Sequence, residues 1–336
     1  MKKSLCILLL VSLTFYGVFA GAKTEVSEER LGEVIVYAND SFVAEWGPGP
    51  ELTRLFEEKT GYTLEMIAVE DILSRVALEK DAPVADVVIG LDANQAPVAF
   101  EQDVLAKYKP ANADEIIADD LIMDDDWRLT AFDWGHFAIN YDTESDIPRP
   151  TSLEDLTDPM YKNKLVLMDP RISSPGLGFL AWTIAIYGDD YLDYWNRLSD
   201  NILSVAPGWS EGYGLYTAGE APLVLSYTCS PAYHVEYDDT TRYEALIFDQ
   251  GHVMQIEGAG MVKNAPNKNG AKAFLDFLIS EEAQGVLPLT QWMNPVNENV
   301  VLPASYDYAP IADKNLKVDV TILAEAANAV MNELSK

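Results

Sequence analysis

Short apolar runs alternate with amphipathic stretches along most of this chain. Runs at residues 34–37, 64–69 and 87–90 are rich in Val, Ile and Leu, which is typical of buried strands. Between the first two runs, an amphipathic helix begins at Pro50 and ends at Gly61. Because strands alternate with helices, the pattern predicts a parallel or mixed sheet with helices on its faces.

The alternation continues beyond an aromatic-rich extended stretch at residues 132–137. A strand at 165–168 precedes a long apolar helix at 176–187, and another strand follows at 223–225. A second extended stretch lies at 256–262, and the remainder of the chain is mainly helical. The chain therefore contains two halves of the same α/β character, joined by two extended segments.

Two crossings between two α/β halves predict a bilobed α/β fold with mixed sheets and a hinge at the crossings. We assign residues 23–132 and 259–336 to lobe one and residues 133–258 to lobe two. A cleft between two lobes is a common site for small ligands, so we expect the ligand there.

The first 22 residues have the features of a cleaved secretory signal peptide. Lys2 and Lys3 precede an apolar run at 5–19 that is shorter than the roughly 20 residues of a membrane-spanning helix. We therefore expect an extracytoplasmic, periplasmic protein. Cleavage removes two lysines and no acid, which moves the formal net charge from −31 to −33. So negative a protein is a poor nucleic-acid partner, because a phosphate backbone requires basic patches.

The residues that metal and nucleophilic chemistry require are scarce. His136, His234 and His252 share no metal-ligand spacing, and Cys229 is the one cysteine beyond the signal segment. No Gly-x-Ser-x-Gly elbow occurs, and Cys229 has no evident histidine base in register. We expect no catalytic residue, no metal site and no cofactor.

Three distant segments combine aromatic rings with glycine, proline and hydroxyl residues: 40–50, 208–234 and 291–296. Such segments present ring faces and backbone N–H groups to a flat polar molecule. A cationic ring against such faces gains roughly 0.5–2 kcal/mol per contact. The predicted aromatic cage consists of Trp46, Trp209, Tyr227, Tyr233 and Trp292.

Two polar features accompany the aromatic segments. Ser173 or Ser174 precedes Pro175 and Gly176 at the start of the long apolar helix, where a hydroxyl either caps the helix or contributes to an anion site. Among the acids near the loops, Asp71 is the best candidate for pairing with a cationic or aminopyrimidine ligand, and Asp40 is a second one.

At these residues the chain resembles the periplasmic thiamine-binding proteins of bacterial ABC importers, within the type II solute-binding superfamily. The resemblance extends from Val34 to about Pro303. Its signposts are the blocks at 37–50, 85–92, 169–178, 208–234 and 292–296. It implies that the five cage residues surround the pyrimidine and thiazolium rings, and that Asp71 and Ser173 lie at a polar end that a phosphate would occupy. Neighbouring positions that we also expect near the ligand are Asn39, Asp40, Ile72, Ser174, Gly176 and Ser230.

Two departures from the family pattern concern this polar end. Asn39 stands where a tyrosine is common, and Ile72 stands where a glycine usually follows the acid. Glycine favours close backbone approach to a phosphate, so its loss favours thiamine over its mono- and diphosphates as ligand.

The leading hypothesis is a monomeric receptor that captures thiamine, or a thiamine phosphate, and delivers it to an ABC permease and its ATPase. A receptor for a polyamine or ferric ion is a second hypothesis, because such sites also use acids and aromatic residues. A thiaminase-like enzyme is a third. It requires a cysteine nucleophile in lobe one, whereas Cys229 lies in lobe two.

Overall fold

A computed structural model describes residues 31–336 except residue 112. The predicted signal peptide lies outside the described residues. The described strands form one mixed sheet with the order β2-β1-β3-β9-β4-β7-β5-β6, and three short strands pair with its two central members. The strands are Glu33–Ala38 (β1), Thr63–Ala68 (β2), Val87–Asp92 (β3), Thr130–Asp142 (β4), Leu165–Met168 (β5), Ile202–Ala206 (β6), Leu223–Tyr227 (β7), Tyr243–Ala245 (β8), His252–Met261 (β9), Asn294–Pro295 (β10) and Asn315–Leu316 (β11).

Helices cover the faces of this sheet, as the alternating pattern predicts. None of the helices within the described residues is long and apolar enough to cross a membrane. The α-helices are Asp40–Val43 (α1), Gly49–Thr60 (α2), Ile72–Leu78 (α3), Ala96–Glu101 (α4), Ala113–Ile116 (α5), Ser174–Tyr187 (α6), Tyr191–Leu198 (α7), Trp209–Thr217 (α8), Ser230–Tyr237 (α9), Lys268–Leu278 (α10), Glu281–Gln284 (α11), Leu287–Thr290 (α12) and Leu323–Leu334 (α13).

The long strands β4 and β9 pair antiparallel at the centre of the sheet and connect its two halves. The first part of β4 pairs with β9 and β10, and its last part pairs with β7 and β8. These strands correspond to the two extended crossings predicted from sequence. The prediction of a bilobed α/β fold of the type II solute-binding class is confirmed.

Two separate hydrophobic cores lie on either side of these central strands. The first core contains Phe56 and Phe132, with residues from β1, β3, α2 and α10 around them. The second core contains Phe137, Trp182 and Trp195. Each of these indoles satisfies its N–H internally, since Trp182 Nε1 donates to the Gly251 carbonyl over 2.8 Å and Trp195 Nε1 donates to Thr183 Oγ1 over 3.0 Å.

The last helix corrects one part of the predicted lobe assignment. We placed residues 259–336 in lobe one, but α13 packs against α6 and α7 and adds Leu323, Ala326 and Val330 to the second core. The apolar face of α13 is visible in the sequence, but the sequence does not indicate which lobe covers it. The predicted boundaries at 132/133 and 258/259 remain a proposal.

Candidate ligand-binding cleft

Trp209 begins α8 and is held in a fixed orientation. Its Nε1 donates to Ser226 Oγ over 2.8 Å, and its ring is stacked on Tyr213 with centroids 4.7 Å apart. Ser226 Oγ in turn lies 2.7 Å from Ser230 Oγ. Because 38% of Trp209 stays exposed, this network presents a preoriented indole surface.

Tyr227 ends β7 beside this network. Its backbone N–H donates to Ser230 Oγ over 3.2 Å, and its hydroxyl donates to Gln255 Oε1 over 2.9 Å. Its ring packs against Phe137 with centroids 5.2 Å apart. Burial, with the nearby charge of Glu257 next in size, raises the pKa of Tyr227 well above its usual value, so the phenol stays neutral. Trp209, Tyr227 and Ser230 thus form one connected group.

Tyr233 and Trp292 form a second aromatic group, together with Tyr237. The Tyr233 and Trp292 rings meet edge to face with centroids 5.1 Å apart, and Tyr237 lies 5.5 Å from Trp292. Trp292 has φ +57°, a left-handed conformation that costs a non-glycine residue energy and is often found at functional sites. The structure therefore brings together two of the predicted residues, 59 positions apart in sequence.

Trp46 lies apart from both aromatic groups. It is 67% exposed in the turn after α1, and within the described residues it makes no ring-to-ring contact. Asp40 is exposed and accepts a hydrogen bond from the Ser41 amide over 2.7 Å. The Asn39 side chain lies against Gly90, whose φ is +95°. The first segment thus presents Trp46 to solvent.

Asp71 and Ile72 have different environments although they are adjacent. Asp71 is exposed and caps α3, accepting the Ser74 amide over 3.0 Å, and hydrogen bonds from Ser74 lower the pKa of its carboxyl. The Ile72 side chain is 5% exposed and belongs to the first core. Ile72 was predicted near the ligand, and this is corrected: its side chain packs inward, so only its backbone is available to a ligand.

The start of α6 differs in detail from the predicted cap. Ser173 occupies the cap position, but its hydroxyl makes no capping hydrogen bond, so the interpretation as a side-chain cap is wrong for this residue. Burial raises the pKa of Asp92 at the end of β3, and the neighbouring Ser174 hydroxyl partly opposes this rise. A Cβ on Gly176 would lie 2.5 Å from the Met168 carbonyl, so glycine is required where α6 approaches β5.

The sequence analysis missed three buried carboxyls beside these groups. Asp92, Asp133 and Glu257 are 2%, 0% and 7% exposed. Glu257 on β9 is the cross-strand partner of both Asp92 on β3 and Asp133 on β4, so the three share one region of the sheet. The sequence did contain a signal, because an acid lies inside each of three apolar runs. Burying an acid costs free energy unless it is paired or protonated.

Two surface cavities, of about 370 and 300 Å³, lie elsewhere. Arg149 and Tyr243 line the first, and Trp134 and His136 line the second. None of the predicted ligand residues lines either. The candidate site consists of the two aromatic groups and the buried carboxyls near them. Among the described residues, no cluster of three or more His, Cys, Asp or Glu is arranged to hold a metal ion.

Two cores joined by two central strands, with aromatic and polar groups gathered between them, define the class of bilobed solute-binding proteins. The comparison with known families agrees. The model of the bacterial extracellular solute-binding proteins matches residues 82–315. The chain belongs to this family, as a homologue of proteins described as thiamine-binding.

Two such relatives cover most of the chain. The thiamine-binding periplasmic protein of Brucella melitensis biotype 1 is 37% identical over 335 residues, which cover 96% of this chain and 97% of the relative. That of Escherichia coli K12 is 38% identical over 278 residues, with 81% and 83% covered.

Solved structures agree with these relatives. One described as a periplasmic thiamin binding protein has a TM-score of 0.82 at 35% identity, covering 90% of this chain and 96% of its own. The apo ferric ion-binding protein A of Pasteurella haemolytica, with a TM-score of 0.76 at 18% identity and coverage of 90% and 96%, shows the fold alone.

Proposed function

We propose that this protein is an extracytoplasmic receptor that captures thiamine between its lobes and delivers it to an ABC permease and ATPase. The observation that supports it most directly is the pair of neighbouring aromatic groups, around Trp209 with Tyr227 and around Tyr233 with Trp292. Tyr227 and Trp292 both pack against one small apolar cluster that contains Cys229 and Met293. The thiazolium ring is cationic, and a cation gains roughly 0.5–2 kcal/mol on each aromatic face. Thiamine is also the ligand in the names of the relatives above.

The charge of the site supports a cationic ligand. Asp92, Asp133 and Glu257 form no ion pair within the residues that the structure describes. The formal net charge of −31 raises the local concentration of cations further. A periplasmic location after signal cleavage, and action as a monomer, belong to the same proposal.

A tryptophan-fluorescence titration tests the proposal. The purified, ligand-stripped protein is titrated with thiamine, its monophosphate and its diphosphate, and calorimetry repeats each titration. We expect saturable quenching, with thiamine binding most tightly. Trp209→Phe should weaken thiamine binding about tenfold, since it removes the hydrogen bond to Ser226 and reduces the stacking surface.

Trp127→Phe is the matched control. Trp127 is partly buried beneath Lys109 in lobe one, away from both aromatic groups, so its replacement should leave affinity unchanged. A folded wild-type protein that binds none of the three ligands by calorimetry would contradict the proposal.

A polyamine receptor is the second candidate, because the three buried carboxyls and the aromatic rings suit any extended organic cation. A thermal-shift screen with spermidine, ferric citrate and thiamine separates the candidates. A larger rise in melting temperature with spermidine or ferric citrate than with thiamine would favour that ligand instead.

Cys229 bears on the enzyme alternative. Its side chain is fully buried, and burial raises the pKa of its thiol to about 12, so a thiolate nucleophile is not available at neutral pH. We therefore propose a binding protein without catalytic activity. Release of the pyrimidine from thiamine in the presence of a nucleophilic base would contradict this.

A further inference from the structure

The buried acids Asp92, Asp133 and Glu257, which we call the carboxyl cluster, lie where the chain crosses between the cores. Two β-bulges create this arrangement. Gly90 is the extra residue where β3 meets β9, and Phe132 is the extra residue where β4 meets β9. Both bulges lie opposite Gly258, next to Glu257. A bulge redirects the side chains that follow it, here Asp92 and Asp133.

Asp133 finds no hydrogen-bond donor among the described residues. Both of its carboxyl oxygens are buried and accept no hydrogen bond, although its side chain is 0% exposed. Glu257 accepts one, from Gln291 Nε2 over 3.1 Å, and Asp92 accepts the amides of Asn94 and Gln95 in its own turn. Two ionised carboxylates offer acceptors only, so Asp133 and Glu257 as neighbours favour the state in which the pair retains a proton.

Each aromatic group is connected to this cluster. Gln291, which donates to Glu257, immediately precedes Trp292. Tyr227 donates to Gln255, two residues before Glu257 on β9. Ser174, at the start of α6, is close enough to Asp92 for its hydroxyl to oppose the rise in the pKa of that acid. The residues that would contact a ligand are therefore linked to the acids through one or two neighbouring residues or hydrogen bonds.

We propose that the carboxyl cluster is the charge-selecting part of the ligand site: it holds a proton while the site is empty and releases that proton when a cationic ligand binds. This inference rests on the proposed function, because it requires a cation between the aromatic groups. No covalent step is involved, and the proton passes to solvent.

The other groups around the cluster support this assignment. The titratable side chains that face it are Tyr227 at the end of β7, Cys229 just after it, and Tyr306, all neutral at pH 7. Within the part of the chain that the structure describes, no basic group opposes the charge of Asp133. Burial, with the neighbouring acid, raises the pKa of Asp133 well above its usual value and that of Glu257 to about 7. A ligand cation is then the missing positive charge.

The sign of the linkage follows from this. A bound cation favours the ionised cluster, so it lowers the pKa of the pair, and ligand affinity rises as pH increases toward 8. A lowering by about one pKa unit gives about a tenfold gain in affinity between pH 5.5 and pH 8. Proton release should be greatest at about pH 6.5, midway between the pKa values of the free and bound states, and small at pH 8, where Glu257 is ionised before the ligand binds.

The experiment is calorimetry of thiamine binding in buffers of different ionisation enthalpy, from pH 5.5 to 8, which counts the protons released. Asp133→Asn and Glu257→Gln preserve shape, and each supplies an amide donor to the remaining acid. We expect wild type to release about half a proton near pH 6.5, and both variants to release almost none and to lose the pH dependence of affinity. Glu220→Gln, at an exposed turn, is the matched control and should release as many protons as wild type does.

The outcomes separate the two proposals. Tight thiamine binding by wild type without proton release, or release that persists in both variants, overturns this inference and leaves the receptor function standing. Absence of thiamine binding by wild type overturns the receptor function and this inference with it. Circular dichroism confirms that each variant is folded, and the wild-type measurement is decisive even if one variant is not.

Discussion

Replacing Glu257 by Gln should make the ligand-free protein more stable at high pH and leave its stability nearly unchanged at low pH. Glu257 is 7% exposed, next to Asp92 and Asp133, and its one hydrogen bond from Gln291 does not compensate for ionisation there. Burial, followed by the charge of Asp92, raises the pKa of Glu257 from 4.5 to about 7. The folded protein thus retains a proton that the unfolded chain has already lost.

The magnitude follows from linkage. Between pH 4.5 and about 7 the native state binds more protons than the unfolded state, so the free energy of unfolding falls as pH rises through this window. Raising the pKa of one carboxyl from 4.5 to about 7 corresponds to about 3 kcal/mol, fully expressed above pH 7. Gln never ionises, so the free energy of unfolding of the variant does not fall in this way as pH rises.

Urea denaturation of wild type and variant at pH 4, 6 and 8 measures the effect. The difference in unfolding free energy should increase from near zero at pH 4 to about 3 kcal/mol in favour of Glu257→Gln at pH 8. Taking the difference cancels the contributions of the titrating groups that do not interact with Glu257. Glu65→Gln, on the exposed side of β2, should show a constant difference. A difference that does not change with pH would refute the reasoning.

Three further predictions concern packing and protonation. Gly178→Ala places a Cβ against the Phe137 ring and should lower the free energy of unfolding in urea by about 1–3 kcal/mol. Gly214→Ala has open space around the new Cβ and should not destabilise the protein. Equal losses of unfolding free energy in the two variants would contradict this prediction. Cys229 should react with a thiol reagent only after unfolding, and rapid labelling of the native protein would show that it is accessible. Burial lowers the pKa of His252 to about 4, so stability should fall as pH drops from 6.5 to 4, and an NMR titration of the ring with a midpoint near 6.5 would oppose this.

Regular elements with strong periodicity were predictable from the sequence. The run at 87–90 became β3, the apolar helix at 176–187 became α6, and the two extended crossings became β4 and β9. These segments bury nearly all of their side chains, so the sequence pattern and the tertiary structure agree. The covering of α13 by the second lobe was not predictable, because an apolar helix face does not identify its partner.

The candidate site was predictable in its aromatic members and not in its acids. Tyr233 and Trp292 meet as expected because glycine, proline and hydroxyl neighbours distinguish exposed aromatic residues from core ones. Asp133 and Glu257 lie within apolar strands, where the sequence shows each acid alone. Their proximity depends on two β-bulges, and a shift of one residue in strand register leaves no signature in a single sequence.

The polar end of the predicted site favours a ligand without phosphate. Asn39 contacts Gly90 at the first bulge, and Ile72 uses its side chain in the first core, so neither provides the tyrosine ring or the flexible glycine backbone of the family pattern. Asp71, the acid predicted at this end of the site, is exposed and stays ionised because Ser74 hydrogen bonds lower its pKa. A phosphate 4 Å from that carboxylate meets a repulsion of about 1 kcal/mol per unit charge even in bulk water. The same acid attracts the thiazolium cation, so each added phosphate should weaken binding to this protein.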